Sequence, residues 1–490
     1  MIGDMPDLLA ARAELNPDSP AIRAGPRRLT YRKLDEHAGR AAALLATRGI
    51  GSGDRVAILC RNRPEFFELL FACARLGAIL VPLNWRMPPV ELAGLIAHAE
   101  PSLLIHGAED AGVAEGFRLP LLPLDDHYQA LLTRHEPARG RPTWGAGDVW
   151  YLLYTSGTTG APKAVIYTYG MALANAVNIG SATGLRAGDR TLCALPLFHT
   201  AGINLHALPT LFTGGEVTVL SGFDAEAVVS LIEERQLDLL FGVPTVYQAL
   251  LSHPRFATAP LHQVRHWGSG GAPLPDRLVT SYRSLGVRLC NGMGMTETGP
   301  TAFLLSPEDA WDHIGSVGKP QLLCRARIVD ETGRDVAEGE VGDLLFGGPG
   351  VTPGYWRNEE ATRAAFTADG WLRSGDLARR DAQGFYYIAG RRKEMFISGG
   401  ENVYPVEVEN VLSAHPAVLD VAVVPAADPH WGEVGRAFVQ LAPGCPPQDP
   451  ADLQLFCRAR LAPYKVPVLI EIVPEFPRTS AGKIQKHLLA

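Results

Sequence analysis

The stretch YRKLDEHAGRAAALLATRGIGSGDRVAILC, residues 31–60, carries the clearest fold signal of the sequence. Its first part repeats apolar side chains at helical spacing, the turn GSGD follows, and RVAILC is typical of a buried strand. The next apolar run, from Leu69 to Leu83, is interrupted by Arg75 and is shorter than the roughly 20 residues of a membrane span. It predicts a buried helix that leads into a strand, so helix and strand alternate as in an α/β fold.

Further short apolar runs extend this pattern toward the middle of the chain. They are typical of parallel strands buried on both faces, and they lie at 101–106, 191–195, 216–220, 237–243 and 287–290. From about Gly315, turn sequences such as DETG and DAQG separate short strands and predict a β-rich subdomain. From Pro405 a helix, two strands and a second helix predict a compact α+β domain.

We therefore expect an α/β protein with two domains. The large amino-terminal domain, residues 1–391, would contain mixed and parallel sheets and the β-rich subdomain. The small carboxy-terminal α+β domain, residues 392–490, would follow an exposed charged linker, GRRKE at 390–394.

Composition excludes several classes of function. The 490 residues include 45 Lys and Arg against 52 Asp and Glu, so the net charge of −7 gives no general attraction for nucleic acid. The seven cysteines are scattered without metal-binding or redox spacing, and we expect buried thiols. The amino terminus does not resemble a secretion signal, and we expect a cytoplasmic protein without an integral membrane span.

The string YTSGTTGAPK, residues 154–163, is the strongest sign of chemistry. Its glycines allow backbone amides to converge on an anion, its hydroxyls add donors, and Lys163 can meet a phosphate charge. The spacing is not that of a Walker A loop. Taken alone, such a loop is more often a surface turn.

Together with four further strings, this loop resembles the adenylate-forming superfamily, which includes acyl-CoA synthetases. The strings are GMTET at 294–298, RSGDL at 373–377, GRRKE at 390–394 with SGGENVYP at 398–405, and PRTSAGKI at 477–484. They stand in the family's order, and the resemblance covers nearly the whole chain. It implies that a carboxylate and Mg-ATP form an acyl-adenylate, and that the thiol of coenzyme A then displaces AMP.

The resemblance also implies roles for individual residues in nucleotide binding. Glu297, with Thr158, would hold Mg²⁺, a hard cation suited to oxygen ligands. Lys483 would act in catalysis between the α-phosphate and the acid, with Glu297, Thr296 and His199 as the other catalytic residues. The residues implied in ATP binding are Thr155, Ser156, Gly157, Thr158, Thr159, Lys163, Gly271, Ala272, Asn291, Gly292, Met293, Thr296, Asp376, Arg391 and Lys483.

Within that set, Asp376 and Arg391 would bind the ribose. Met293 stands where the family usually has an aromatic residue that stacks on adenine, and we expect its thioether to cover the base.

The same resemblance implies a moving small domain. Lys393 occupies the family's hinge, about which the domain would rotate between the two half-reactions. Gly399, Gly400 and Glu401 would then approach the coenzyme A side of the site.

For the acid, the resemblance implies a pocket of small and apolar residues. They are His199, Thr200, Ala201, Gly202, Ile203, Val243, Gly268 and Gly270. His199 stands where amino-acid-activating relatives have an aspartate, and the lack of an anion there disfavours an amino-acid substrate. The residue could also be an ordinary core histidine. The pocket predicts a hydrophobic acid, either a fatty acid or an arylpropenoic acid such as ferulate.

We therefore predict an AMP-forming acyl-CoA ligase whose partners are small molecules, namely a carboxylic acid, ATP and coenzyme A. Two alternatives remain open at the level of sequence, an acyl-AMP ligase that loads a carrier protein and a relative that binds adenylates without catalysis. The sequence also leaves the oligomeric state open, a homodimer included.

Overall fold

A computed structural model of the chain describes residues 3–141, 143–155, 163–478 and 483–489. Two large sheets, a smaller antiparallel sheet and a separate carboxy-terminal sheet make up its β-structure, with a two-stranded ribbon of Asp4–Pro6 and Thr143–Gly145. The α-helices are Leu8–Leu15, Tyr31–Thr47, Pro64–Leu76, Pro89–Ala99, Ala111–Ala114, Asp126–Leu132, Tyr169–Thr183, Ala207–Thr213, Ala225–Glu233, Pro244–Leu251, Asp276–Ser284, Glu359–Ala365, Pro405–Ser413 and Pro450–Arg458.

The first sheet has six strands. In spatial order they are Lys163–Thr168, Val149–Thr155, Ile79–Pro82, Arg55–Leu59, Leu103–Gly107 and Leu121–Leu124. The first two pair antiparallel and the other neighbours pair parallel.

The second sheet has nine strands. In spatial order they are Lys319–Pro320, Phe303–Leu304, Leu289–Met293, His266–Ser269, Leu239–Gly242, Arg190–Cys193, Glu216–Val219, Pro20–Ala24 and Arg27–Thr30. Its central strands are parallel, and antiparallel strands complete both edges.

Helix Pro64–Leu76 shows why the sequence forms this architecture. It is apolar on almost every face and almost entirely buried, as expected of a helix packed inside a core. Its two buried charges are paired, Arg75 with Asp7 at 2.7 Å and Glu68 with Arg27 at 2.7 Å. The strand Ile79–Pro82 follows directly, so the predicted buried helix leading into a strand is confirmed.

The third sheet forms the β-rich subdomain. Its antiparallel strands are Arg325–Val329, Gly342–Gly347, Leu372–Arg380 and Tyr386–Arg391. The predicted turn at 330–333 follows the strand Arg325–Val329, and the predicted turn at 381–384 connects the strands Leu372–Arg380 and Tyr386–Arg391. Phe303, from the edge of the second sheet, packs against Phe346 and Tyr386 of the third.

The fourth sheet belongs to the small α+β domain. Its strands are Glu401–Val403, Phe396–Ser398, Gly432–Leu441 and Val418–Asp428, and Leu469–Ile472 pairs with Gly432–Leu441. Helices Pro405–Ser413 and Pro450–Arg458 pack on it. The predicted fold class is confirmed. The boundary at 391 and 392 falls between the third and fourth sheets and stays a prediction.

One sequence expectation is wrong in part. Five of the seven cysteines are buried, but Cys324 and Cys445 are only half-buried. Cys324 lies beside the first strand of the third sheet and Cys445 lies in a loop of the small domain, where neither has a core on both sides.

Candidate active site

The phosphate-loop string lies between two paired strands of the first sheet. Thr155 ends one strand and Lys163 begins the next, and the Thr155 hydroxyl lies 3.4 Å from the Lys163 carbonyl oxygen. The ammonium of Lys163 lies 5.2 Å from the centroid of the Tyr355 ring. The predicted phosphate ligands Ser156, Gly157, Thr158 and Thr159 lie outside the described residues.

Glu297 lies on a short 3₁₀ turn, Thr296–Thr298, directly after the last parallel strand of the second sheet. Its side chain is buried, and the hydroxyl of Tyr355 donates a hydrogen bond of 2.9 Å to its Oε1. The turn is held in place by the backbone amide of Thr352, which donates to the Glu297 carbonyl oxygen at 2.8 Å. Tyr355 therefore joins Lys163 and Glu297, and no motif of the sequence predicted it.

The close packing of the backbone at Gly294 explains why the string GMTET begins with a glycine. A β-carbon at this position would lie 1.6 Å from the carbonyl oxygen of Pro300. The chain folds back on itself so closely that a side chain is excluded there. This tight return places Thr296 and Glu297 at the end of the strand.

Asp376 and Arg391 are direct partners across two strands of the third sheet. The Arg391 guanidinium Nε lies 2.7 Å from Asp376 Oδ1. Burial raises the pKa of Asp376, while the positive charges of Arg391 and Lys483 oppose that shift. The Asp376 carboxylate has lone pairs that the ion pair with Arg391 does not use. These lone pairs suit it to accept hydrogen bonds from sugar hydroxyls.

Lys483 reaches from the small domain toward these groups. The residue is exposed to solvent, and partial desolvation by the neighbouring protein lowers its pKa. The charge of Arg391 lowers it further, and those of Asp376 and Glu297 raise it. The predicted catalytic lysine thus lies within the electrostatic reach of two residues predicted for ATP binding, Asp376 and Arg391, and of the predicted Mg²⁺ ligand Glu297.

His199 lies near the same lysine. Burial lowers the pKa of the half-buried His199 to about 4, and the positive charges of Lys483 and Arg86 add to the shift. The imidazole is therefore neutral at pH 7. A neutral ring adds no positive charge to those of Lys483 and Arg86.

The segment after His199 forms the wall of the predicted acyl pocket. It turns into a π-helix, Ala201–Leu205, a rare element that recurs at functional sites. Asn204 stabilises it, because its amide donates to the Thr200 hydroxyl at 3.1 Å and its side-chain oxygen accepts from the Tyr151 hydroxyl at 2.8 Å.

A small cavity lies against this helix. Its lining includes two of the predicted pocket residues, Ala201 and Gly202, and adds residues that the sequence analysis missed, namely Leu192, Cys193, Leu195, Leu205, His206 and Phe241. The structure places Ile203, which is fully buried, in the core between the two large sheets.

The ring of Phe241 explains why two of the predicted pocket residues, Gly268 and Gly270, are glycines. A β-carbon on Gly268 would lie 2.5 Å from the Phe241 ring, and one on Gly270 would lie 3.2 Å from it. The glycines make room for this ring, and Phe241 itself is the large side chain at the pocket. Val243 is half-buried at the start of the next helix.

The remaining predicted nucleotide residues lie at the ends of neighbouring strands. Gly271 and Ala272 follow the strand His266–Ser269, and Asn291, Gly292 and Met293 end the strand Leu289–Met293. Asn291 donates to the Ser316 carbonyl oxygen at 3.0 Å. Met293 packs against the core of the third sheet and pairs with Phe303, and its contact with adenine stays a prediction.

The predicted coenzyme A residues lie on a hairpin of the fourth sheet, in which Ser398 pairs with Glu401. Gly399 and Gly400 have positive φ angles of 60° and 91°, a conformation that favours glycine. A β-carbon on Gly399 would lie 2.7 Å from the half-exposed Trp431 ring. The hairpin is exposed, and Lys393 lies in the turn that precedes it.

The residues of this candidate site suit a Mg²⁺ ion that binds together with a nucleotide. Within the described ranges, no group of three His, Cys, Asp or Glu side chains could hold a metal by itself. Mg²⁺ is commonly bound through one or two carboxylates together with substrate phosphates, and the buried Glu297 supplies one such carboxylate.

Comparison with known proteins identifies relatives along the whole chain. Residues 9–356 match the family described as AMP-binding enzyme, and residues 407–483 match the AMP-binding enzyme C-terminal domain. The chain is 42% identical over 481 residues to a feruloyl-CoA synthase of Amycolatopsis sp, covering 97% of this chain and 96% of that protein. It is 38% identical to an indoleacetate–CoA ligase of Aromatoleum aromaticum, covering 99% of this chain and 97% of the relative.

A solved structure shows the same architecture. The o-succinylbenzoate CoA synthetase of Bacillus subtilis, in complex with its acyl-adenylate intermediate, superposes with a TM-score of 0.90 at 32% identity, covering 100% of this chain and 98% of that chain. The same synthetase has also been solved with ATP and magnesium ion. In the part of the chain that the structure describes, no helix is long and apolar enough to cross a membrane.

Proposed function

The chain belongs to the AMP-binding enzyme family, and from this premise we propose that it activates an arylpropenoic acid, such as ferulate, as its coenzyme A thioester. The class of enzyme, an AMP-forming acyl-CoA ligase that uses ATP, Mg²⁺ and coenzyme A, is confirmed by the relatives. The observation that carries the choice of acid is the 42% identity to a feruloyl-CoA synthase over 97% of the chain. We place the protein in the cytoplasm as part of the same proposal.

In the first half-reaction the chain would position two anions, the acid and the nucleotide. Lys163 would bind phosphate oxygens, and Asp376 with Arg391 would hold the ribose. Lys483 would lie between the carboxylate and the α-phosphate, where a fixed positive charge stabilises the negative charge that develops as the two anions react. His199, neutral at its lowered pKa, would flank the acid without competing for its charge.

Glu297 and Thr158 would hold Mg²⁺, which neutralises phosphate charge when bound. Tyr355 would keep the Glu297 carboxylate in place through its hydrogen bond. Thr296, on the same turn, would contact the α-phosphate.

In the second half-reaction the small domain would turn about Lys393. Lys483 would leave, and the hairpin with Gly399, Gly400 and Glu401 would approach the acyl-adenylate from the coenzyme A side. The exposed positions of Gly399, Gly400 and Glu401 leave them open to a new contact, which supports a rearrangement between the two steps.

The test is a panel of acids assayed for AMP release with ATP, Mg²⁺ and coenzyme A. The panel contains ferulate, cinnamate, benzoate, decanoate and palmitate, and Lys483→Ala is the inactive control. We expect kcat/KM for ferulate to exceed that for either fatty acid by at least about tenfold, which corresponds to roughly 1.4 kcal/mol. Higher kcat/KM for decanoate or palmitate would contradict the proposed acid.

A further inference from the structure

Two buried histidines beside the acyl pocket have no role in the reaction described above. His206 and His266 are each 2% exposed. None of their four ring nitrogens has a hydrogen-bond partner among the described residues. Buried polar side chains nearly always have partners, because an unsatisfied one costs about 1–3 kcal/mol.

Both rings lie beside Phe241, and His206 lines the cavity. His206 lines the cavity with Ala201 and Gly202, and its ring meets Phe241 edge-on at 6.1 Å between centroids. A β-carbon on Gly268 would touch both Phe241, at 2.5 Å, and His266, at 3.0 Å. The electrostatic interaction between His206 and His266 also places them near each other.

The position of His206 suits the far end of an aromatic acid. His206 directly follows the π-helix Ala201–Leu205, which begins two residues after His199. The π-helix therefore separates His206 along the chain from His199, which would flank the carboxylate. A phenylpropenoic acid with a para-hydroxyl carries that hydroxyl at the end of the molecule opposite its carboxylate.

Both rings are neutral at physiological pH. Burial lowers the pKa of His206 to about 3 and that of His266 to about 4, with smaller contributions from His266 and Arg265 respectively. A neutral imidazole offers one donor and one acceptor. A phenolic hydroxyl also donates and accepts, so it could satisfy one nitrogen of each ring.

We propose that His206 and His266 form the far wall of the acyl pocket and select acids that carry a ring hydroxyl there. This specificity rests on the proposed function, because it assumes an aromatic acid in the pocket. A pocket that hydrogen-bonds a substrate hydroxyl rejects the analogue that lacks it, since its own polar groups are then left unpaired. The neighbouring Phe241 would pack on the aromatic ring.

The test compares para-hydroxycinnamate with cinnamate, which differ by one hydroxyl. In the wild-type enzyme we expect kcat/KM for the hydroxylated acid to be at least about tenfold higher. His206→Leu and His266→Leu should each lower that ratio by about fivefold to tenfold, because the hydroxylated acid loses a hydrogen-bond partner and cinnamate no longer leaves a histidine unpaired. His206→Gln, which keeps a donor and an acceptor, should restore part of the ratio.

His106→Leu is the matched control, because His106 is also buried but bonds the Gly107 carbonyl oxygen in the first sheet, at 2.8 Å. It should leave the ratio unchanged. An equal loss of kcat/KM for both acids in the His206 and His266 variants would overturn the proposal and assign the two rings a structural role.

If a leucine variant does not fold, the wild-type enzyme alone still tests whether the two histidines select a ring hydroxyl. A ratio below about twofold between the two acids would overturn the role of the histidines while leaving the aromatic function standing. Failure of the enzyme to use any aryl acid would overturn the proposed function as well, so the two failures are distinguishable.

Discussion

At the scale of single residues, Lys483 makes the sharpest prediction. Lys483→Ala should lower the rate of acyl-adenylate formation by about a hundredfold to a thousandfold, which is typical of removing one group that stabilises a developing charge. It should leave thioester formation from a preformed acyl-adenylate nearly unchanged, because the lysine would act in one domain orientation. The measurement is pyrophosphate release for the first step and coenzyme A thioester formation for the second.

The matched control for this experiment is Lys33→Ala, an exposed lysine on the helix Tyr31–Thr47. It removes the same charge far from the site and should change neither step. Equal loss of both half-reactions in Lys483→Ala would contradict the two-orientation mechanism.

A substitution of Tyr355 tests whether this tyrosine holds the proposed Mg²⁺ ligand, Glu297, in place. Tyr355→Phe removes the hydroxyl that donates to Glu297 at 2.9 Å, and hydrogen bonds to charged groups contribute about 1.5–3 kcal/mol. We expect the KM for Mg-ATP to rise by about tenfold, with little change in the KM for the acid.

The control is Tyr387→Phe, which removes a similar hydroxyl that bonds Asp381, at 3.2 Å, in the β-rich subdomain. An unchanged KM for Mg-ATP in Tyr355→Phe would show that Glu297 keeps its position without this tyrosine.

The contrast between Glu297 and Tyr355 shows which site residues a sequence can reveal. Glu297 lies inside a motif whose neighbours are fixed by local constraints, such as the close approach at Gly294. Tyr355 comes from a loop 58 positions away and reaches the site because it pairs with Val165 of the first sheet. Phe241 and His206 are similar cases, since only the packing of separate elements brings them to the pocket.

At the scale of elements, the segment between the third and fourth sheets is the proposed pivot. Lys393→Pro would fix φ near −65° at its centre and restrict Arg392 as well. Arg392 is held by Asp343 at 2.6 Å and by the Gly375 carbonyl oxygen at 3.0 Å. We expect thioester formation to fall by at least about tenfold while adenylate formation falls by less than about threefold.

Lys393→Ala serves as the control, because it removes the side chain but keeps the backbone free to rotate. It should retain both half-reactions. Normal overall turnover of Lys393→Pro would show that the domain does not rotate about this residue.

The order of elements was predictable from periodicity, because long amphipathic helices and short apolar strands have different repeats. Helix Tyr31–Thr47 and strand Arg55–Leu59 lie where the pattern predicted them. The π-helix Ala201–Leu205 was not predictable. Its extra residue is stabilised by tertiary hydrogen bonds from Tyr151 and Asn175, which leave no signature in the local sequence.

Across the whole molecule, Arg277 provides a contact between the large domain and the small one. Arg277, on the helix Asp276–Ser284, donates hydrogen bonds to the backbone carbonyl oxygens of Val418 and Leu419 at the start of a strand of the fourth sheet. Burial lowers the pKa of Arg277, and the nearby Asp420 carboxylate opposes that shift. The same domain orientation places Lys483 within reach of Asp376 and Glu297.

Arg277 should therefore favour the orientation that forms the adenylate. In Arg277→Ala the small domain loses hydrogen bonds from a charged group, so we expect the rate of adenylate formation to fall by about tenfold. Thioester formation from a preformed acyl-adenylate should stay constant or increase, because the competing orientation becomes easier to reach. Arg283→Ala is the control, since Arg283 lies on the same helix but contacts Trp311 within the large domain. A parallel decrease of both half-reactions in Arg277→Ala would mean that this contact stabilises the fold and does not select a domain orientation.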